Sequence, residues 1–149
     1  MQTIEQVLPP FLQNVFIGAR KPIVAGHGSN SRVAVNSSAT LTAAQVLTGY
    51  ITCTSTSAVT MTLPTGTLLG AAMGAEQGDT LDLFIDNTAS SSSGIVTIAV
   101  GANGILSALA AAGGGSAAGL LTVPVGVTGI ACFRLMFTSA TAYAFTRIA

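Results

Sequence analysis

An all-β fold is the expectation for this chain: an antiparallel β-sandwich, jelly-roll-like, with about eight short strands, one or two short helices and an extended N-terminal arm. Three observations point there. Short runs alternate apolar residues with threonine or other polar residues, the period of a half-buried strand. Clusters of Gly, Asn, Ser and Pro punctuate those runs. The helical signals are brief, each closed within a few residues by a threonine cap on one side and a glycine on the other. At 149 residues the chain has the size of one ordinary domain, enough to bury a core without metals or disulfides.

Residues 1–31 differ from the rest and read as an arm and linker. Ile4, Val7 and Leu8 suit one helical turn that Pro9 and Pro10 break, and Phe11, Leu12, Val15, Phe16 and Ile17 form an apolar, non-alternating cluster ending at Gly18. That cluster needs burial, either by folding back on its own domain or by reaching a partner subunit. Residues 26–31 are a flexible linker, and residues 32–149 are the expected β-sandwich domain.

The stretch from Thr40 to Pro64 organises that domain. A short strand leads into a helix with Thr42 as N-cap, Gln45 as its capping-box partner and Gly49 as a left-handed stop. A pair of strands follows, with Ile51 and Cys53 alternating with Thr52 and Thr54, then Val59, Met61 and Leu63 with Thr60 and Thr62. A second helix is expected from about Thr67, as possible cap, to Met73, with Gly74 as its stop, lying over one end of the sandwich. Residues 78–87 carry the clearest strand, Leu81, Leu83 and Ile85 on one face and Thr80, Asp82, Phe84 and Asp86 on the other. A serine-rich turn over residues 87–94 then predicts a hairpin completed by residues 95–100. The small-residue segment 101–119 reads as a long loop with a little helix at 106–111. Strands are expected at about 120–124, 129–138 and 141–148, the last two forming a hairpin in which Tyr143 and Phe145 answer Phe133, Leu135 and Phe137.

Composition narrows the partners. Only 7% of residues are charged and the formal net charge is zero, which removes the electrostatic drive for nucleic-acid or anionic-membrane binding. With so few ions the surface relies on hydroxyls for solubility, so much of it is expected to belong inside an assembly. Glu5 and the two prolines interrupt any apolar leader, so synthesis in the cytoplasm is expected. Residues 104–131 are uncharged, yet Gly113, Gly114, Gly115, Pro124, Gly126 and Gly129 make them a poor spanning helix.

No catalytic constellation assembles from the residue types. His27, the single histidine, sits in a glycine-flanked linker that cannot hold a base against a nucleophile. Glu76, Asp79, Asp82 and Asp86 lack the spacing of a glycosidase pair or a calcium loop and read as a solvated strand face that protects an edge. Gly66, Gly70 and Gly74 are spaced for helix packing or capping, not for phosphate binding. Cys53 and Cys132 lack zinc-ligand spacing, and buried free thiols are favoured over a disulfide. No cofactor is expected. Arg20 and Lys21 form the adjacent basic pair, followed by Arg32, too few for a nucleic-acid groove but enough to meet an acidic patch on a protein.

The motifs TLTAAQVLTGYITCTS, VTMTLPTG and GDTLDLFIDNTA, with the aromatic C-terminal hairpin, resemble the capsid decoration or cement proteins of tailed bacteriophages over most of the β domain. That resemblance implies a homotrimer on the outer surface of the virion capsid, bound to the major capsid protein and clamping neighbouring capsomers without turnover. The arm then supplies the expected interface: Phe11, Phe16 and Ile17 as apolar anchors, with Arg20, Lys21 and Arg32 as charges around them. The other reading is a phage fibre or base-plate β-sandwich that binds a cell-surface glycan; the absence of Trp from the sequence argues against it.

Overall fold

The computed structural model describes residues 32–91, 93–106 and 121–149. Among these, ten strands and two α-helices form a β-rich fold of two mixed, unclosed sheets. In chain order they are β1 (Val33–Ala34), β2 (Ala39–Thr40), α1 (Ala43–Leu47), β3 (Tyr50–Thr52), β4 (Val59–Thr62), α2 (Gly66–Met73), β5 (Thr80–Asp86), β6 (Val96–Ala99), β7 (Gly104–Leu106), β8 (Thr122–Val123), β9 (Ile130–Ser139) and β10 (Ala142–Arg147). The larger sheet has the order β1-β3-β5-β9-β10-β7 and the smaller β2-β4-β6-β8.

The antiparallel expectation holds in part. β5 with β9, β9 with β10, and β6 with β8 are antiparallel. Five pairs are parallel: β1 with β3, β3 with β5, β2 with β4, β4 with β6, and β10 with β7. The cause is the path of the chain. From β1 to β6 successive strands alternate between the two sheets, so each return to a sheet adds a strand in the same direction as the last. β5 and β6 therefore do not form the expected hairpin, and β3 and β4 lie in different sheets rather than pairing. Alternation along a strand reports burial on one face but not the partner strand.

Local signals were more decisive. α1 starts at Thr42, whose hydroxyl accepts from Gln45 N at 3.2 Å while Gln45 Oε1 accepts from Thr42 N at 2.8 Å, and Gly49 follows at φ +72°. α2 begins one residue earlier than expected and is capped by Thr65, not Thr67: the Thr65 hydroxyl accepts from Leu68 N at 3.2 Å. Gly74 ends it at φ +62°. Leu106, expected to open a small helix, closes β7; the rest of that predicted helix lies outside the described residues, as does the arm.

One face of each sheet enters a single core, with Ile51, Leu83, Ile85, Phe133, Leu135 and Phe137 from the larger sheet meeting Met61, Leu63, Val96, Ile98 and Val123 from the smaller sheet and its flanks. Phe133 and Phe145 stack at 5.0 Å between ring centroids, and Phe137 meets Tyr143 edge-on at 6.1 Å. α2 lies against the β9–β10 turn, as Gly66 and Gly70 require: a Cβ on Gly70 would stand 1.9 Å from the Ala140 carbonyl oxygen, and one on Gly66 2.3 Å from that of Thr141. Asn87, buried at the end of β5, joins both sheets. Its side-chain amide donates to the carbonyls of Gly94, Val123 and Pro124 at 2.9, 3.1 and 2.9 Å, and Ser90, itself buried, donates to its Oδ1 and to the Cys53 carbonyl.

Candidate functional site

The outward face of the larger sheet carries the arrangement best suited to recognition. Registry places Tyr50 of β3 beside Phe84 of β5, and Phe84 beside Cys132 of β9. Just past β10, Ile148 continues the line, its backbone N–H donating to the Cys132 carbonyl at 2.9 Å. The result is an apolar row across four adjacent strand positions. Ile130, at 50% exposure, extends it along β9 in one direction; in the other, Met136, at 48%, lies on the same face beyond Arg134. Cys132 is only 5% exposed although it points away from the core, because large neighbours stand on both sides of a small side chain.

Charged groups border this row. On one side Arg134 donates to both Asp82 carboxylate oxygens at 2.7 Å from directly opposed positions on β5 and β9. The pair lies at the surface, where water screening leaves it little net stabilising value, but its planar two-point geometry orients both groups. On the other side Tyr50 donates from its hydroxyl to Asp86 Oδ2 at 2.6 Å, and Thr88 donates to Asp86 Oδ1 from its hydroxyl and backbone at 2.6 and 3.0 Å. Burial disfavours the Asp86 anion, yet these hydrogen bonds and the Arg32 charge outweigh it and hold the carboxyl below its ordinary range. The same hydrogen bond pushes the Tyr50 phenol up.

These positions revise the reading of the acids. β5 lies between β3 and β9 inside the larger sheet, so its carboxylates do not protect an edge. Asp82 and Asp86 do share its outward face, where each has a specific partner. Cys53 and Cys132 are buried free thiols; alternation places Cys53 toward the core and Cys132 on the outward face, so they do not meet. Arg32 is exposed and immediately precedes β1, near enough to Asp86 and Tyr50 to influence both. Phe11, Phe16, Ile17, Arg20, Lys21 and His27 lie outside the described residues.

Sequence reading placed Phe84 on the polar face of its strand but missed the row. Alternation alone gave the parity; the register that aligns Tyr50, Cys132 and Ile148 with it depends on pairing between distant segments. Elsewhere an open groove of about 590 Å³ lies between the starts of the two helices, with Leu41, Leu63, Pro64 and exposed Leu68 among its walls and no ionisable side chain among the described residues that line it. Among the described residues no group of three or more His, Cys, Asp or Glu side chains converges as a metal site, and no helix is long and apolar enough to cross a membrane.

No protein-family model, curated protein or solved structure matches this chain.

Proposed function

We propose that this chain is a structural virion protein that binds the outside of a bacteriophage head as a trimer and stabilises contacts between capsomers. The observation that carries the reading is the outward face of the larger sheet: a partly exposed apolar row, in a chain of zero formal net charge, bordered by fixed polar pairs. Such a surface suits a persistent protein contact better than electrostatic capture of a polyanion. The resemblance of its motifs to phage decoration proteins supplies the partner, the major capsid protein, and a role without turnover. In this reading the finer architecture is a variant of the jelly-roll-like sandwich in which crossing between sheets has introduced parallel pairs.

Trimerisation multiplies weak attachments. Once one arm has engaged the shell, the other two meet it at high effective concentration, so modest contacts by Phe11, Phe16 and Ile17 give long residence on the head. Arg20, Lys21 and Arg32 border those anchors.

Light scattering on the purified full chain across a dilution series, followed by co-sedimentation with expanded heads, tests the reading. The expected result is a persistent trimer that sediments with heads and is released by Phe16→Asp combined with Ile17→Asp. A stable monomer that fails to sediment with heads but binds an immobilised glycan would replace this reading with that of a fibre or base-plate module.

A further inference from the structure

We infer that the outward face of the larger sheet packs against the same face of a second copy of this chain, about a two-fold axis that runs along the strands between β5 and β9. The contact stands whether or not the protein decorates a head. Being pairwise, it joins copies from two trimers in a trimeric protein and does not close the trimer itself.

Symmetry of the sheet is the first argument. In the order β1-β3-β5-β9-β10-β7, the line between β5 and β9 has three strands on each side. A two-fold along that line, midway between two facing sheets, sets β5 of one copy over β9 of the other and β3 over β10. Register then decides which side chains meet. Phe84 and Cys132 are directly opposed across the line, with Tyr50 beside Phe84 and Ile148 beside Cys132 at the same level. The rotation therefore seats Phe84 on the partner's Cys132 and Tyr50 on the partner's Ile148, so the two apolar rows coincide along their whole length.

Charge is the second argument. The same rotation brings Asp82 over the partner's Arg134 and Arg134 over the partner's Asp82, joining two ion pairs into a ring of four alternating charges. Arg134 and Asp82 keep 45% and 33% exposure in the single chain, which leaves room for that second contact. A two-fold set along the row instead would oppose Asp82 to the partner's Asp86 and is disfavoured by like charge. Asp86, which falls over the partner's Ile130, already accepts hydrogen bonds from Tyr50 and Thr88 within its own chain. Area is the third. At about 16 Å² of sheet per strand residue, the six strands present about 500 Å², and two such faces about 1,000 Å², the lower bound of a specific contact. Such a contact forms and separates with concentration.

Sedimentation velocity of the full chain over a concentration series tests the pairing. The natural chain is expected to associate in pairs as concentration rises. Asp82→Arg alone and Arg134→Asp alone should each weaken that association by about tenfold or more, because each sets like charges opposite one another. Both positions lie on the surface, so these variants keep the core. An equal mixture of the two should recover the association to within about threefold, since every facing pair is again opposite in sign, and so should the double variant Asp82→Arg with Arg134→Asp. Glu76→Arg, exposed and outside the sheet, adds the same charge as Asp82→Arg; mixed with fluorescently labelled Arg134→Asp chains, it should leave them unassociated. No pairing of the natural chain, pairing unmoved by the single reversals, a mixture that fails to recover, or equal recovery with Glu76→Arg would each overturn the inference. The readout does not involve heads, so failure of the virion reading leaves it intact.

Discussion

Asn87 is the residue on which the junction of the two sheets depends. One carboxamide satisfies three carbonyls from two segments, Gly94 and the consecutive Val123 and Pro124, and accepts from Ser90 in a buried site. Removing it leaves buried acceptors without donors, which costs more than an ordinary exposed hydrogen bond contributes. Asn87→Ala is expected to lower stability by about 3 kcal/mol in urea unfolding, and Asn87→Asp, which loses the donors but keeps the shape, should also be strongly destabilising. A loss below about 0.5 kcal/mol would show that the carbonyls find other partners. Tyr143 is the corresponding residue at the other end: fully buried, it donates to the Pro64 carbonyl at 2.9 Å. Burial pushes its phenol up from 10.0 to about 12, against a smaller opposing contribution from the Gly101 backbone. Below pH 10 the group is protonated in both states; above it, the unfolded chain releases the proton first, so stability falls until the folded group titrates near pH 12. Tyr143→Phe should cost about 1 kcal/mol at neutral pH and flatten that alkaline decline, leaving the parts due to Tyr50 and Cys132, both also pushed up.

At the scale of elements, α2 shows how a packing requirement overrides helix propensity. Alanine in place of a helical glycine ordinarily stabilises by about 1 kcal/mol. At Gly70 the added carbon would meet the backbone of the β9–β10 turn at 1.9 Å, and neither backbone can rotate away as a side chain would. Gly70→Ala is therefore expected to destabilise by about 2 kcal/mol or more. Gly74→Ala meets no neighbour within 4 Å and should cost only about 1 kcal/mol, the penalty of a left-handed φ. Urea midpoints of the two variants in parallel separate steric exclusion from conformational preference; equal losses would contradict this account of α2.

For the whole molecule, the governing feature is the path that alternates between sheets from β1 to β6. It gives both sheets one core that encloses Cys53, at 1% exposure, whereas Cys132, at 5%, is covered on the outward face by its neighbours in the sheet. The native chain should react slowly with a thiol reagent and release two thiols when denatured; rapid modification of Cys132 alone would place an opening motion at the outward face.

The amino-acid sequence by itself determined the β-rich class, the Thr42 capping box, the glycine stops of both helices, the faces of β5 and the C-terminal hairpin. All are encoded by neighbours a few residues apart, where capping chemistry and two-residue periodicity act directly. The glycine spacing in α2 likewise announced a close contact, though not the turn it meets. Tertiary structure alone decided the parallel pairs, the central place of β5, the identity of the Asn87 partners and the row from Tyr50 to Ile148. Each depends on register between segments far apart in the chain, which local side-chain pattern leaves open because one alternating strand satisfies its burial equally against many partners.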